Sequence, residues 1–152
     1  MSQPLPAFRV GLGYDIHPLV AGRPCILGGV SIPSPVGPEG HSDADVLLHA
    51  VADAILGAAG LRDIGHYFPN TDASLKGLDS AVIVKKAVAE AKAQGGWMVG
   101  NVDIVIIGER PKVMAHVEAM KAKVAEIIGI SPAQVGIKAT TNEGMDSIGQ
   151  GK

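Results

Sequence analysis

The chain has 152 residues and a formal net charge of −2 at pH 7, with 47% hydrophobic, 18% charged and only 3% aromatic residues. This length predicts a single domain, residues 1–152. The high hydrophobic and low aromatic content predicts a core filled by small apolar side chains, with surplus apolar surface buried between subunits. The nearly neutral charge argues against nucleic acid and a membrane surface as partners, and the single cysteine, Cys25, excludes a disulfide framework.

The amino-terminal sequence bears on where the protein works. Its first eight residues, Met-Ser-Gln-Pro-Leu-Pro-Ala-Phe, have neither the charged region nor the apolar region of a signal peptide. The apolar runs elsewhere in the chain are too short to span a bilayer. Together with the single cysteine, this pattern predicts a cytoplasmic protein.

The first predicted strand, Arg9–His17, ends in a carboxylate and an imidazole two residues apart, Asp15 and His17. Residues two apart on a strand point to the same face, so these two side chains can converge on one cation. An aspartate with a histidine suits Zn²⁺, which needs at least one further protein ligand. The best candidate is His49, on a helix predicted from about Ser42 to Leu56. The alternatives are a capped strand end for the first pair and a packed core position for His49.

The rest of the chain alternates short strands, loops and helices. In the first half we predict a strand near 25–32, a Pro/Gly loop over 33–40, a first helix capped by Ser42 or Asp43, and an ordered surface loop over 63–72. In the second half we predict a helix over 80–94, a strand over 100–107, a helix from Pro111 to Gly129 and a strand over 134–139. This order predicts an α+β fold with a mainly four-stranded sheet covered on one face by helices. β-Branched residues on both sides of strand 100–107 further predict that both of its faces are covered.

Three groups of residues lie where they could hold anions or a second cation. They are His41 and Ser42 at the amino end of a helix, Thr140, Thr141 and Glu143 after the last predicted strand, and Arg110 and Lys112 between a strand and a helix. Free N–H groups at a helix start favour an anion, and hydroxyls with a carboxylate suit phosphate oxygens and Mg²⁺ or Mn²⁺. The alternatives are a helix cap, a turn and solvated charge. Together with a transition-metal site, the groups indicate phosphoryl transfer.

Several motifs together resemble one enzyme family. They are Gly13-Tyr-Asp-Ile-His17, Ile26-Leu-Gly-Gly-Val-Ser-Ile-Pro33, His41-Ser-Asp-Ala-Asp-Val-Leu-Leu-His-Ala50, Asp63-Ile-Gly65, Phe68-Pro-Asn-Thr-Asp72, Gly100-Asn-Val-Asp-Ile104, Arg110-Pro-Lys112 and Lys138-Ala-Thr-Thr-Asn-Glu-Gly144. In this order, and over nearly its whole length, the chain closely resembles the 2-C-methyl-D-erythritol 2,4-cyclodiphosphate synthases of the non-mevalonate isoprenoid pathway.

The resemblance implies a homotrimer around a central channel, with active sites between neighbouring subunits. The implied substrate is 4-diphosphocytidyl-2-C-methyl-D-erythritol 2-phosphate, whose 2-phosphate attacks the β-phosphate to give the cyclic diphosphate and CMP. The same resemblance implies that Asp15, His17 and His49 hold one Zn²⁺ in each active site, and that Glu143 contacts a second cation, Mg²⁺ or Mn²⁺.

The resemblance also implies roles for the other motif residues. His41 and Thr141 would act as catalytic residues that stabilise the transferring phosphoryl group, with Ser42 beside His41. The implied substrate-binding residues are Asp15, Ile16, His17, His41, Ser42, Asp63, Ile64, Gly65, Phe68, Pro69, Asn70, Thr71, Asp72, Gly108, Glu109, Arg110, Pro111, Lys112, Val113, Met114, Thr140, Thr141, Asn142 and Glu143. Of these, Asp63–Gly65 and Phe68–Asp72 would hold the sugar, and Gly108–Met114 with Thr140 would hold the cytidine end.

The carboxy-terminal sequence departs from the family pattern. The family usually continues past Glu143 with an aromatic residue and then Gly-Arg-Gly-Glu-Gly, whereas this chain has Ser147, Gln150 and Lys152 at the aromatic, arginine and glutamate positions. The resemblance implies that these substitutions alter the lining of the central channel and its contacts with any isoprenoid diphosphate bound there. We also expect the family's last strand to be missing from the sequence.

Two other functions fit the same residues. A metal-dependent phosphoesterase would use water as the nucleophile and give a linear product. A non-catalytic trimer would store metal or an isoprenoid in its channel. A linear product would distinguish a phosphoesterase from a synthase, which forms a ring. Ligand binding and function that are unchanged in Glu143→Gln would indicate the non-catalytic trimer.

Overall fold

The computed structural model describes residues 8–152, so residues 1–7, which make up most of the segment compared with a signal peptide, lie outside it. The strands are β1 (Leu19–Ala21), β2 (Cys25–Leu27), β3 (Val30–Ile32), β4 (Val36–Pro38), β5 (Val102–Ile107) and β6 (Val135–Thr140). The helices are α1 (Val46–Ala58), α2 (Ile64–Tyr67), α3 (Ser80–Gly95), α4 (Val117–Ile128) and α5 (Asp146–Gly149), with 3₁₀ turns at Ala73–Leu75, Met114–His116 and Pro132–Gln134. None of the helices between residues 8 and 152 has the length and apolar composition of a membrane span.

The amino-terminal segment, residues 8–17, is not paired as a strand, so that part of the prediction is wrong. Its exposure alternates strictly, and the outward side chains include Val10 (85% exposed) and Leu12 (90%). Its inward side packs on α1 through glycines, because a Cβ on Gly11 or Gly13 would lie only 1.8 or 1.7 Å from a carbonyl oxygen of that helix. The period of two still places Asp15 and His17 on the same, inward side, as predicted.

The strands of residues 8–152 form three two-stranded sheets rather than the expected four-stranded sheet. β1 pairs with β4 and β2 with β3, both antiparallel, while β5 and β6 are parallel. The first four strands have only three residues each, because proline and glycine residues interrupt the segment from 18 to 40. The amino-terminal segment, which could have widened the sheet, packs on α1 instead.

Three helices, α1, α3 and α4, form most of the core, and two of them, α1 and α4, lie against one face of the β5–β6 pair, as predicted for helices on one side of a sheet. α1 packs on α3 and α3 on α4, while α1 also touches β5 and α4 touches β6. The most deeply buried side chains include Leu48, Val84, Met120 and Val124. On the opposite face Val105 and Ile107 are 53% and 47% exposed, so the prediction that both faces of β5 are covered is wrong for the chain by itself.

The helix that carries His49 is capped by Asp45, not by Ser42 or Asp43. The Asp45 carboxylate accepts hydrogen bonds from the backbone N–H groups of Leu48, Gly28 and Gly29 at 2.7–3.0 Å. Burial raises the pKa of this carboxyl to about 6, although the three N–H donors oppose the shift. Asp45 therefore ties the β2–β3 turn to the first turn of α1 and helps to fix the position of His49.

Candidate active site

Asp15, His17 and His49 converge on one point, as the sequence predicts. The Asp15 Oδ2 atom lies 2.9 Å from His17 Nε2 and 3.1 Å from His49 Nδ1, and one possible ligand atom from each residue lies within 4.8 Å of the other two. The amino-terminal segment supplies two of these residues and α1 supplies the third. This group, called the triad below, is the one such three-residue cluster of His, Cys, Asp and Glu found within residues 8–152.

The His17 ring is held in place on its far side. Its Nδ1 atom pairs with the backbone carbonyl oxygen of Glu39, which leaves Nε2 directed at Asp15. A Cβ on Gly40 would lie 3.0 Å from the ring, so the glycine lets the backbone pass close to the imidazole. A histidine whose second nitrogen donates to a carbonyl is a typical metal ligand.

The His49 ring is also engaged on its far side. Its Nε2 atom lies 2.9 Å from the hydroxyl oxygen of Ser80 and 3.2 Å from that of Ser42. The residue itself is buried, so the predicted alternative of a packed histidine is correct in part. Its Nδ1 atom nevertheless remains directed at Asp15.

The electrostatics of the triad favour a charged carboxylate between the two rings. Burial acts to raise the pKa of Asp15, but the hydrogen bonds from His17 and His49 outweigh it and hold this pKa well below its usual range. The same hydrogen bond to Asp15 raises the pKa of His17. One carboxylate oxygen and two imidazole nitrogens form an N/O donor set that suits Zn²⁺ and leaves a fourth position open to substrate, so the residues fit the expected ion.

Two clefts border the triad and share Asp15 and His17. The first, called the α1 cleft, has a volume of about 290 Å³. Its lining includes the predicted residues His41, Ser42, Ile64, Gly65, Phe68 and Asn70, together with His49. The Nε2 atom of His41 lies 3.1 Å from the carbonyl oxygen of Asp72.

The second, called the β5 cleft, has a volume of about 400 Å³ and lies at the carboxyl ends of β5 and β6. Its lining includes the predicted residues Ile16, Gly108, Glu109, Arg110, Pro111, Lys112, Val113, Met114, Thr140 and Thr141. Because the triad lies between the two clefts, one extended ligand could reach both while touching the metal site.

Six predicted site residues line neither cleft. They are Asp63, Pro69, Thr71, Asp72, Asn142 and Glu143. The Asp72 carboxylate instead accepts hydrogen bonds from the N–H and hydroxyl of Ser74. Glu143 is exposed, with a backbone φ of 54°, in a loop whose Asn142 and Gly144 N–H groups donate to Glu109.

Comparison with known proteins assigns the chain to a family. The sequence profile of the YgbB family matches residues 8–152. The chain belongs to the YgbB family. A relative from Synechococcus sp. (strain JA-2-3B'a(2-13)), named 2-C-methyl-D-erythritol 2,4-cyclodiphosphate synthase, is 54% identical over 144 residues, which are 95% of this chain and 91% of that protein. A relative of the same name from Bordetella petrii is 55% identical over 143 residues, 94% of this chain and 88% of that protein.

A solved structure agrees with this assignment. A 2C-methyl-D-erythritol-2,4-cyclodiphosphate synthase in a form with CDP bound superposes with a TM-score of 0.83 at 38% identity, covering 90% of this YgbB-family chain and 91% of that one. The resemblance inferred from the motifs is thus confirmed, and so is the α+β fold.

Sequence reasoning missed several groups that shape the site of this YgbB-family chain. Asp45 and Gly40 position the two histidines, and Ser80 touches His49 from another helix. Asp45 stands directly before the first apolar residue of α1, which is a recognisable capping position. No sequence signal indicates that Ser80 would meet a residue 31 positions earlier.

Proposed function

We propose that the chain converts 4-diphosphocytidyl-2-C-methyl-D-erythritol 2-phosphate to 2-C-methyl-D-erythritol 2,4-cyclodiphosphate and CMP, as a phosphorus–oxygen lyase of non-mevalonate isoprenoid biosynthesis. The observation that carries this proposal is the triad at the shared border of two clefts. The names of the relatives and the CDP-bound synthase structure support a cytidine-linked substrate.

The proposed reaction needs no water. An oxygen of the 2-phosphate attacks the β-phosphorus, and the bond from that phosphorus to the oxygen bridging the α-phosphate breaks. This oxygen leaves with its electron pair as part of CMP, and the ring closes. Because CMP is a good leaving group, the protein's task is to position the reacting groups and to neutralise charge rather than to supply a strong base.

Asp15, His17 and His49 would hold the metal. When bound there, Zn²⁺ supplies Lewis-acid stabilisation of charge on a phosphate oxygen. The residues themselves keep the site in shape: the Glu39 carbonyl holds His17 and the hydroxyl of Ser80 holds His49, so neither ring has to reorient when the substrate arrives.

The two clefts divide the substrate between them in this proposal. The α1 cleft would take the methylerythritol part, where Phe68 offers an apolar surface and Asn70 polar groups. The β5 cleft would take the cytidine end beside Thr140. His41 and Ser42, at the border with the triad, and Thr141, on the other side, would donate to the transferring phosphoryl group.

Glu143 would contribute to a second cation, Mg²⁺ or Mn²⁺. It offers one exposed carboxylate near the carboxyl end of β6. A cation held there would neutralise charge on the diphosphate of the substrate.

We further propose that the chain acts as a cytoplasmic homotrimer with the active sites between subunits. A neighbouring copy would cover two exposed apolar surfaces. One includes Val10 and Leu12 on the amino-terminal segment, and the other is formed by Val105 and Ile107 on β5. The mass of the purified protein by sedimentation equilibrium tests this directly. A monomer would contradict it.

The function is tested by the product formed. Purified protein with substrate and Mg²⁺ should give cyclic diphosphate and CMP by ³¹P NMR, and His49→Ala should give neither. His116→Ala, which changes a histidine outside the triad and both clefts, is the matched control and should behave as wild type. A linear diphosphate would instead establish a phosphoesterase, and no turnover by folded, zinc-loaded protein would favour a binding role.

A further inference from the structure

A buried chain of hydrogen bonds continues from His49 away from the triad. Ser80, the first residue of α3, is 0% exposed, and its hydroxyl oxygen lies 2.9 Å from His49 Nε2. The same hydroxyl donates to the carboxylate of Asp43, whose other oxygen accepts the backbone N–H of Ser80 at 3.0 Å. The chain therefore runs from a metal-ligand candidate on α1, through the start of α3, to a carboxylate in the loop before α1.

Asp43 is itself fixed by the backbone. Its N–H donates to the carbonyl oxygen of Leu78 at 3.0 Å, and its carboxylate also accepts the N–H of Asp45 at 3.1 Å. Between these aspartates Ala44 is fully buried with a φ of 58°, a conformation that non-glycine residues adopt only when their surroundings impose it. The carboxylate therefore has little freedom to turn away from Ser80.

The direction of the hydrogen bonds follows from the number of available protons. A carboxylate accepts only, so the single hydroxyl hydrogen of Ser80 goes to Asp43. The Ser80 oxygen is then left to accept, and the group facing it, His49 Nε2, must carry the proton. With the Nε2 proton fixed in this way, Nδ1, which faces Asp15 Oδ2 at 3.1 Å, is the nitrogen that can bind a metal in place of its hydrogen bond to Asp15.

We propose that Ser80 and Asp43 are positioning residues that fix the tautomer and ring orientation of His49 for metal binding. This inference rests on the part of the proposed function in which the triad holds Zn²⁺. Ser42, 3.2 Å from the same nitrogen, accepts the N–H of Ala44, and within residues 8–152 it makes no hydrogen bond to a carboxylate, so its hydroxyl does not impose one tautomer. Partners of this kind typically change metal affinity by about 10- to 100-fold.

Zinc affinity of Ser80→Ala, measured by competition with a chromophoric chelator, tests the proposal without any substrate. We expect it to be weaker than that of wild type by about 10-fold or more. Val84→Ala, one turn further along α3 and fully buried, is the matched control because it removes buried apolar atoms from the same helix and leaves the Ser80 hydroxyl in place. It should bind zinc within about twofold of wild type. Equal losses in the two variants, or no loss in Ser80→Ala, would overturn the proposal.

A second measurement needs no variant and so does not depend on Ser80→Ala folding. Two-bond ¹⁵N–¹H correlation spectra of the zinc-loaded wild-type protein report which nitrogen of each histidine carries the proton. The proposal expects the His49 proton on Nε2 and the metal on Nδ1, and the reverse would contradict it. Zinc binding with the expected tautomer but without cyclisation of substrate would contradict the proposed function and leave this inference standing.

Discussion

The two ends of the proposed site are built differently. Around the triad, each histidine is held by a partner on its far side: the Glu39 carbonyl for His17 and buried Ser80 for His49. At the carboxyl ends of β5 and β6, by contrast, Glu143 is exposed, and the side chain of its neighbour Asn142 donates only a few residues along the chain, to Asp146 at the start of α5. The metal end is therefore set by the packing of the fold, whereas the geometry of the other end depends more on what binds there.

The largest effect should follow from removing the carboxylate at the centre of the triad. Asp15→Ala leaves two imidazoles, too few for a stable zinc site. We expect zinc to be lost and kcat/KM to fall about 10³-fold or more, since a metal's charge stabilisation is worth several kcal/mol. Glu126→Ala, which removes an exposed carboxylate on α4, is the control and should keep both zinc and activity. Full activity of Asp15→Ala would refute the metal assignment.

The close packing behind the metal end can be broken without changing any ligand. In Gly13→Ala the new Cβ would meet the Ala50 carbonyl oxygen at 1.7 Å and force the amino-terminal segment away from α1. We expect unfolding to become easier by about 3 kcal/mol, and zinc affinity to fall because Asp15 moves with the segment. Gly57→Ala, where a Cβ on α1 meets nothing within 4 Å, should instead stabilise the protein by about 0.5–1 kcal/mol. Equal stability of the two variants would contradict the packing account.

Asp45, the buried N-cap of α1, makes the stability of the folded protein depend on pH. The pKa of Asp45 is about 6 in the folded protein, above its ordinary unfolded value near 4, so its contribution to stability is full below pH 4 and is lost as the pH rises through 6. We expect the stability of wild type relative to Asp45→Asn to fall by up to about 3 kcal/mol between pH 4 and pH 7. Urea unfolding of both proteins, with zinc removed by a chelator, measures this difference. A difference that stays constant with pH would show that folding does not raise the pKa of Asp45.

The smallest effect should follow from a substitution at the exposed end of the site, beside the carboxyl ends of β5 and β6. Glu143→Gln keeps the size of the side chain and removes its charge, so we expect the Mg²⁺ concentration for half-maximal turnover to rise by about 10-fold. Zinc affinity should not change, because Glu143 is not part of the triad. Glu118→Gln, on the surface of α4, is the control. If Glu143→Gln released zinc, the separation between the two ends of the site would be wrong.

The sequence predicts those parts of the structure that depend on local periodicity. The period of two over residues 8–17 places Asp15 and His17 on one side even though no strand pairing forms, and the helical spacing around His49 brings it to them. The helix predicted over 80–94 is α3, and the strands predicted over 100–107 and 134–139 are β5 and β6 within two residues at each end.

What the sequence does not predict depends on contacts between distant segments. The amino-terminal segment reads as a strand, but whether it pairs is decided by its glycines, which pack on α1. The loop over 63–72 has no helical period, yet it contains α2, whose first N–H donates to Asp53 of α1. The Asp43–Ser80–His49 chain likewise forms only because the start of α3 docks beside α1.

The central claim is that the triad is the metal centre of the enzyme. Crystals of protein purified with zinc, measured on both sides of the zinc absorption edge, test it most directly. We predict one strong anomalous peak per chain, about 2.0–2.2 Å from Asp15 Oδ2, His17 Nε2 and His49 Nδ1. A peak held by other residues, or zinc-saturated protein with no peak at these three atoms, would contradict the account.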